Sequence, residues 1–132
     1  MPCKLSTGPC RFDIDAAARK LRDRRVKRRR DLLRLHGEAQ QDATAIIDMI
    51  KRRFNPRRIY QWGSLLDPGT FDENSDIDIA VQGIESVQAF SDLLGAAMKM
   101  TRFPLDIVDF DTIDDLSRAS ILNLGMIVHE RT

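Results

Sequence analysis

Three aspartates and a Gly-Ser pair are the residues in this sequence whose types and spacing could do chemistry. Asp76 and Asp78 are two residues apart, Asp106 lies in a later apolar run, and Gly63-Ser64 precedes all three. On an extended segment, residues two apart point to the same face, so Asp76 and Asp78 converge while the intervening isoleucines turn into the core. Proteins bind Mg²⁺ through a few carboxylates plus substrate phosphates. The set therefore predicts a site for metal ions and a nucleoside triphosphate, and hence an enzyme.

Apolar runs and turn residues indicate which elements would position this site. Gly63-Ser64 leads from a strand into a short helical segment, which Asp67-Pro68-Gly69 ends. Elsewhere, apolar runs predict strands and amphipathic runs predict helices. The strands are 58–62, 76–81, 105–110 and a short last segment at 126–128, and the helices are 86–100 and 116–123. Their alternation predicts an α/β (α+β) fold, a small mixed sheet packed with helices.

The N-terminal part of the chain predicts a leader and a long helical extension. Residues 1–12 read as a loose leader, and residues 13–54 contain good helix formers interrupted only by Gly37. The pattern fits one long basic helix or two helices hinged near Gly37, capped by Asp13 or Asp15 and ended at Asn55-Pro56. We expect the second half of the extension to pack on a core domain at residues 55–132.

Charge is distributed unevenly along the 132 residues. Residues 1–58 hold 17 basic and 7 acidic residues, a net charge of +10, whereas residues 59–132 hold 4 basic and 13 acidic residues, a net charge of −9. The segment Arg19–Arg30 carries most of the positive charge. It could bind nucleic acid, an acidic partner protein or a second copy in a homodimer, or be a solvated helix face. The first three roles remain open.

Composition indicates a single globular domain without a membrane anchor. Hydrophobic content of 42% and charged content of 31% are ordinary for such proteins. No apolar run is long enough to span a bilayer and the N-terminus lacks a signal-peptide core, which predicts a cytoplasmic protein. Cys3 and Cys10 have no second Cys/His pair to complete a zinc site, so free thiols are expected.

The same motifs resemble those of a known superfamily. The signature is Tyr60-Gln61-Trp62-Gly63-Ser64, then Gly69, then Ser75-Asp76-Ile77-Asp78-Ile79. It is similar to that of the nucleotidyltransferases that include DNA polymerase beta. More narrowly, it resembles the minimal nucleotidyltransferases, small bacterial and archaeal proteins of which many are antitoxins paired with HEPN-domain toxins. The resemblance covers roughly residues 43–130, with its elements in the expected order.

The resemblance implies a reaction and a role for each site residue. Asp76, Asp78 and Asp106 would be catalytic and would bind two Mg²⁺ ions, with Asp106 completing the nucleophile side. Gly63 would let the backbone approach the triphosphate, and Ser64 would donate to a β- or γ-phosphate. The protein would transfer a nucleoside monophosphate, AMP from ATP, to a hydroxyl of a partner protein or other acceptor. A HEPN-type toxin would be the partner.

Several residues leave alternatives open. Many minimal nucleotidyltransferases have an arginine after the Gly-Ser pair, where this chain has Leu65–Pro68, and Asp67 would repel a triphosphate unless it turns away. The alternative function is therefore a weakly active or inactive antitoxin or binding module. Asp109 could replace Asp106 only in a different strand register. Tyr60 and Trp62 fit strand packing, and the lone residues His36 and His129 carry no predicted catalytic role.

Overall fold

The computed structural model describes residues 13–132, so the predicted leader with Cys3 and Cys10 lies outside the described residues. The elements in chain order are α1 (Ile14–Phe54), β1 (Arg58–Trp62), a 3₁₀ helix (Ser64–Leu66), β2 (Ile77–Gln82), α2 (Val87–Met98), β3 (Leu105–Asp109), α3 (Asp115–Leu124) and β4 (Met126–Glu130). The structure divides after Asp31 into two units. Within residues 13–132, no helix is long and apolar enough to cross a membrane.

Helix α1 is continuous, which decides between the one-helix and two-helix interpretations. Gly37 is helical and does not interrupt it. At its start, Asp13 Oδ1 accepts a hydrogen bond from the Ala16 amide at 3.0 Å, as predicted for a capping residue. It ends at Phe54, and Asn55 then takes a positive φ of 44° ahead of Pro56. In the second unit, its apolar positions three to four residues apart are buried. They are Ala39, Ala43, Ile46, Ile47, Met49 and Ile50.

The second unit contains a four-stranded mixed sheet in the order β3-β2-β1-β4. Strand β1 is antiparallel to both β2 and β4, whereas β2 and β3 run parallel. A parallel pair needs a long crossover connection, and α2 lies in the segment between β2 and β3. The predicted α/β (α+β) fold with a small mixed sheet is confirmed.

The two faces of the sheet pack against different helices. On one face, Ile77, Ile79 and Val81 of β2 join a core cluster with the buried residues of α1 and with Leu93 of α2. On the other face, Tyr60, Ala80 and Phe110 form a smaller cluster with Ile121 of α3. Because side chains alternate along a strand, β1, β2 and β3 each contribute to both clusters.

The strand that carries the Asp pair begins slightly later than predicted. Strand β2 starts at Ile77, whose amide donates to the Pro104 carbonyl at 2.8 Å, and Asp76 precedes it. Several other ends also differ slightly from the predicted ones, whereas β1 has its predicted bounds, Arg58–Trp62. For example, α2 starts at Val87 because Ser86 is its N-cap, accepting from the Ala89 amide at 3.1 Å. Where a strand starts depends on the neighbouring strand, which a single-sequence pattern does not reveal.

Candidate active site

Asp78 and Asp106 lie side by side on neighbouring parallel strands. They are register partners between β2 and β3, and Trp62 is the partner of Asp78 on β1. Because Ile77 and Ile79 are fully buried toward α1, strand alternation places Asp78 on the opposite face, toward α3. Three adjacent strands therefore present Trp62, Asp78 and Asp106 in one row.

The charge environment of Asp78 indicates that the three predicted carboxylates lie close together. Asp78 is only 9% exposed, and burial raises its pKa from 3.8 to about 6, with further contributions from the charges of Asp106 and then Asp76. Burial and like charges both disfavour the ionised form of a carboxyl group. The structure thus places Asp106 and Asp76 close enough to Asp78 for their charges to act on it, although Asp76 lies outside the strand.

The chemistry of this donor set fits a divalent cation. Carboxylate oxygens are suitable Mg²⁺ ligands, and a cation would offset the repulsion at Asp78. Within residues 13–132, however, no three His, Cys, Asp or Glu side chains converge closely enough to hold a metal ion by themselves. Mg²⁺ usually takes one or two carboxylates and completes its shell with waters and substrate phosphates. Triphosphate oxygens would therefore have to complete this site.

Gly63 packs directly against the carboxylate of Asp78. It has φ +81°, and a Cβ built on it would lie 2.9 Å from Cγ of Asp78 and closer still to Oδ2. Any other residue would be strained by the positive φ and would collide with the carboxylate. The Gly-Ser pair and the carboxylates are therefore parts of one site, and Ser64 begins the 3₁₀ helix beside it.

His36 contacts the loop that carries the Gly-Ser pair, a contact that the sequence did not suggest. Its Nε2 atom lies 2.7 Å from the Leu65 carbonyl oxygen, to which it donates a hydrogen bond. Its ring also makes a T-shaped contact with the ring of Phe71, with the centroids 5.5 Å apart. Leu65 and Phe71 are both buried, so His36 ties α1 to two points of the segment between β1 and β2.

The side chain of Asp67 is used within its own turn. Its Oδ1 atom accepts a hydrogen bond from the Gly69 amide at 3.0 Å, and its carbonyl accepts one from the Thr70 amide at 3.0 Å. An aspartate that bonds an amide two residues later is common turn chemistry. This local bond gives Asp67 a structural role in the turn that Asp67-Pro68-Gly69 was expected to form.

A cavity of about 260 Å³ opens beside Asp106 between the sheet and α3. Its lining is mainly apolar, with two serine hydroxyls and the Asp106 carboxylate at its border. The lining residues are Trp62, Asp106, Val108, Ile113, Ser117, Ser120 and Ile121. Trp62 Nε1 is buried and is the only such side-chain atom in the described chain without a hydrogen-bond partner. Trp62 therefore contributes to this cavity as well as to strand packing.

Tyr60 and Asp109 both make structural contacts, and for Tyr60 the sequence had predicted strand packing. Tyr60 stacks on Phe110 with ring centroids 4.7 Å apart and donates its hydroxyl to Gln82 Oε1 at 3.1 Å. Asp109 accepts a hydrogen bond from the Asp111 amide at 3.0 Å, which stabilises the turn after β3. In the observed register of β3, the residue beside Asp78 is Asp106 and not Asp109.

Comparison with known proteins agrees with this geometry. The family model described as "Polymerase beta, Nucleotidyltransferase" matches residues 44–132, while no curated protein matches the chain. A crystal structure of a toxin-antitoxin with AMP-PNP is 25% identical, with a TM-score of 0.55, covering 67% of this chain and 73% of that one. The toxin-antitoxin MntA-HepT is 21% identical, with a TM-score of 0.54, covering 70% and 73%, and shows the fold alone.

The matched region contains the Gly-Ser turn and all three aspartates, in a sheet that holds them together. The family model covers the larger part of the chain. It therefore confirms the predicted family and enzyme class, whereas the individual roles of the five residues stay predictions. The chain belongs to the polymerase beta nucleotidyltransferase family, and its enzyme class is nucleotidyltransferase.

Proposed function

We propose that this protein transfers AMP from ATP onto a hydroxyl group of a partner protein, with Mg²⁺ as cofactor. The observation that carries the proposal is the packing of Gly63 against Asp78, which in turn lies beside Asp106. A triphosphate seated on the Gly-Ser turn would place its α-phosphorus near these carboxylates. Position and charge are what a protein mainly supplies to such a transfer.

Each site residue has a role in this reaction. Asp76, Asp78 and Asp106 would hold two Mg²⁺ ions, which supply charge neutralisation at the phosphates and acidify the acceptor hydroxyl. Gly63 leaves room for the triphosphate, and the Ser64 hydroxyl donates to one of its outer oxygens. Asp106, the most exposed of the three carboxylates, takes up the proton of the acceptor hydroxyl. The acceptor oxygen bonds to the α-phosphorus, the bond from that phosphorus to the bridging oxygen breaks, and pyrophosphate leaves.

The cavity beside Asp106 supports a small acceptor group. A volume of about 260 Å³ accommodates one side chain or ring, and its apolar walls would hold the group while its hydroxyl faces Asp106. Next to it, α3 and β4 carry several large apolar residues that are more than half exposed, as at protein-interaction sites. They are Leu116, Leu122, Leu124, Met126 and Ile127. A protein docked on these residues could present one side chain to the cavity.

The structural relatives support the choice of nucleotide and partner. One relative was crystallised as a toxin-antitoxin with AMP-PNP, an ATP analogue, and the other as the toxin-antitoxin MntA-HepT. We therefore propose ATP as the nucleotide and a HEPN-type toxin as the partner protein. A homodimer and a cytoplasmic location remain predictions from the sequence.

The position of the radioactive label in ATP tests the reaction. The protein would be incubated with Mg²⁺, a HEPN-type toxin and ATP labelled at either the α- or the γ-phosphate. Transfer of AMP predicts label on the toxin only from α-labelled ATP, with a matching mass increase by mass spectrometry. Label from γ-labelled ATP would indicate phosphoryl transfer and contradict the proposal. A toxin that binds in a stable complex but stays unmodified would also contradict it.

The rival function is a binding module that has kept the fold and lost the chemistry. It is favoured by the Leu65–Pro68 segment, which lacks an arginine, and by the absence of a self-sufficient metal-ligand set among the described side chains. Calorimetry separates the two functions. Binding of Mg²⁺-ATP supports the enzyme, whereas a folded protein that binds the toxin but no nucleotide supports the binding module.

A further inference from the structure

The segment Arg19–Arg30 of α1, here called the basic arm, is positively charged and exposed along its whole length. All of its residues are exposed, and its only acidic residue is Asp23. The nine cations are Arg19, Lys20, Arg22, Arg24, Arg25, Lys27, Arg28, Arg29 and Arg30. None of the five candidate site residues lies in this segment, so its charge requires a separate explanation.

Six of the nine cations of the basic arm fall on two opposite sides of the helix, and the other three, Arg19, Arg28 and Arg30, lie between them. With 3.6 residues per turn, Lys20, Arg24 and Lys27 lie within about 60° of one another. We call these three the first flank. The second flank is Arg22, Arg25 and Arg29, which also lie within about 60° of one another and are centred roughly 170° from the first. The arm therefore presents two positive flanks that point away from each other.

The basic arm has no apolar face for docking. Its only apolar residues, Leu21 and Val26, are 51% and 56% exposed. They lie about 140° apart around the helix, so they form no stripe. A coiled-coil partner would need apolar residues at regular helical spacing, which this segment lacks.

We propose that the basic arm binds double-stranded DNA by lying in its major groove, with one flank toward each phosphate backbone. Twelve helical residues span about 18 Å, which gives the arm roughly one net positive charge per 2 Å. B-form DNA carries one negative charge per about 1.7 Å of axis. The major groove is about 12 Å wide, close to the diameter of a helix with its side chains.

Other partners fit the basic arm less well. It contains no aromatic residue, so it offers no platform on which single-stranded bases could stack. Duplex RNA has a deep and narrow major groove that would not admit the helix. A flat acidic protein surface would contact only one flank. Since residues 59–132 carry a net charge of −9, that part of the chain would not add to DNA affinity.

The two flanks allow a direct test by charge removal. Fluorescence anisotropy would measure binding of the full chain to a labelled DNA duplex of about 20 base pairs at 50–200 mM salt. One variant carries Lys20→Gln, Arg24→Gln and Lys27→Gln, and a second carries Arg22→Gln, Arg25→Gln and Arg29→Gln. A control removes three exposed charges farther along the same helix by Lys51→Gln, Arg52→Gln and Arg53→Gln. Glutamine preserves helix propensity, which circular dichroism would verify.

We expect wild-type affinity to fall steeply with salt. Each flank variant should weaken binding at least tenfold and make the slope of log K against log salt shallower by about 3, because each lost phosphate contact changes it by about 1. The control variant should bind like wild type. The proposal is overturned if binding is absent or insensitive to salt, or if duplex RNA binds as well. Loss of binding in only one flank variant would also overturn it, because the helix would then contact the duplex along one side only.

Discussion

The two faces of the sheet use the same strands for different purposes. Toward α1 and α2, β2 buries Ile77, Ile79 and Val81 with no exposed surface. Toward α3, the same strand presents Asp78, whose carboxylate is nearly buried beside that of Asp106. Burial of a carboxylate near like charges destabilises the folded protein, as its raised pKa indicates. The apolar face can offset this cost, since functional sites often carry strain that the rest of the fold supports.

The largest expected effect is the loss of activity when carboxylates of the α3-facing side of the sheet are neutralised. Asp76→Asn with Asp78→Asn should lower AMP transfer at least about 1,000-fold, because the neutral amides lose most of their affinity for Mg²⁺. The fold should persist, since no apolar core residue changes. Transfer of α-labelled phosphate and circular dichroism would measure the two properties on the same samples.

A matched pair on β3 sharpens this prediction. Asp106→Asn should also abolish transfer, whereas Asp109→Asn should retain most of it because Asp109 bonds only to the turn after β3. Equal loss in these two variants, or unchanged transfer in the double variant, would contradict the assignment of the site.

The second effect tests the apolar face. Ile79→Ala removes a fully buried side chain and should lower the free energy of unfolding by about 3 kcal/mol. Val108→Ala on the opposite face should cost less, because Val108 is only partly buried and already borders a cavity. Urea denaturation of both variants at pH 7 would measure the difference. A larger loss from Val108 would show that the α3 face, and not the α1 face, provides the stability.

The third effect is a gain in stability from removing a charge. The pKa of Asp78 is about 6 in the folded protein, against 3.8 for an ordinary aspartate, so the folded state loses stability as pH rises through this range. Asp78→Asn should therefore raise the free energy of unfolding by about 2 kcal/mol at pH 7, and by almost nothing at pH 4. Urea denaturation at the two pH values would measure both changes, and the matched control is Glu85→Gln, an exposed acid elsewhere. A loss of stability at pH 7 on Asp78→Asn substitution would contradict the raised pKa.

The sequence predicted the elements of the fold because each carries a local signal. Alternating apolar residues indicated which side of β2 would face the core, and the structure places Asp78 on the other side. The position of Asp76 before the strand was not predictable in the same way. Pairing of β2 with β3 begins at Ile77 and Leu105. The local sequence pattern of β2 does not indicate where a distant strand starts to pair with it.

The parts of the site that depend on tertiary contacts were not visible in the sequence. The cavity beside Asp106 forms only when α3 packs over the sheet, because its lining comes from β1, β3, α3 and the segment before α3. The contact between His36 and Leu65 joins residues 29 positions apart. A lone histidine on a helix gives no local signal of such a partner.

The smallest expected effect concerns this histidine, which acts on the site from the apolar side of the sheet. His36→Leu removes the hydrogen bond to the Leu65 carbonyl and should loosen the loop that presents Gly63 and Ser64. We expect the Kd for Mg²⁺-ATP to rise about tenfold, equivalent to about 1.4 kcal/mol, while His36→Gln keeps a donor and recovers most of the affinity. The control is His129→Leu, a change at the other histidine of the chain. Calorimetry with Mg²⁺-ATP would measure all four proteins. If the leucine and glutamine variants bind Mg²⁺-ATP equally well, the hydrogen bond does not position the loop. The site on one face of the sheet would then not depend on this contact from the other face.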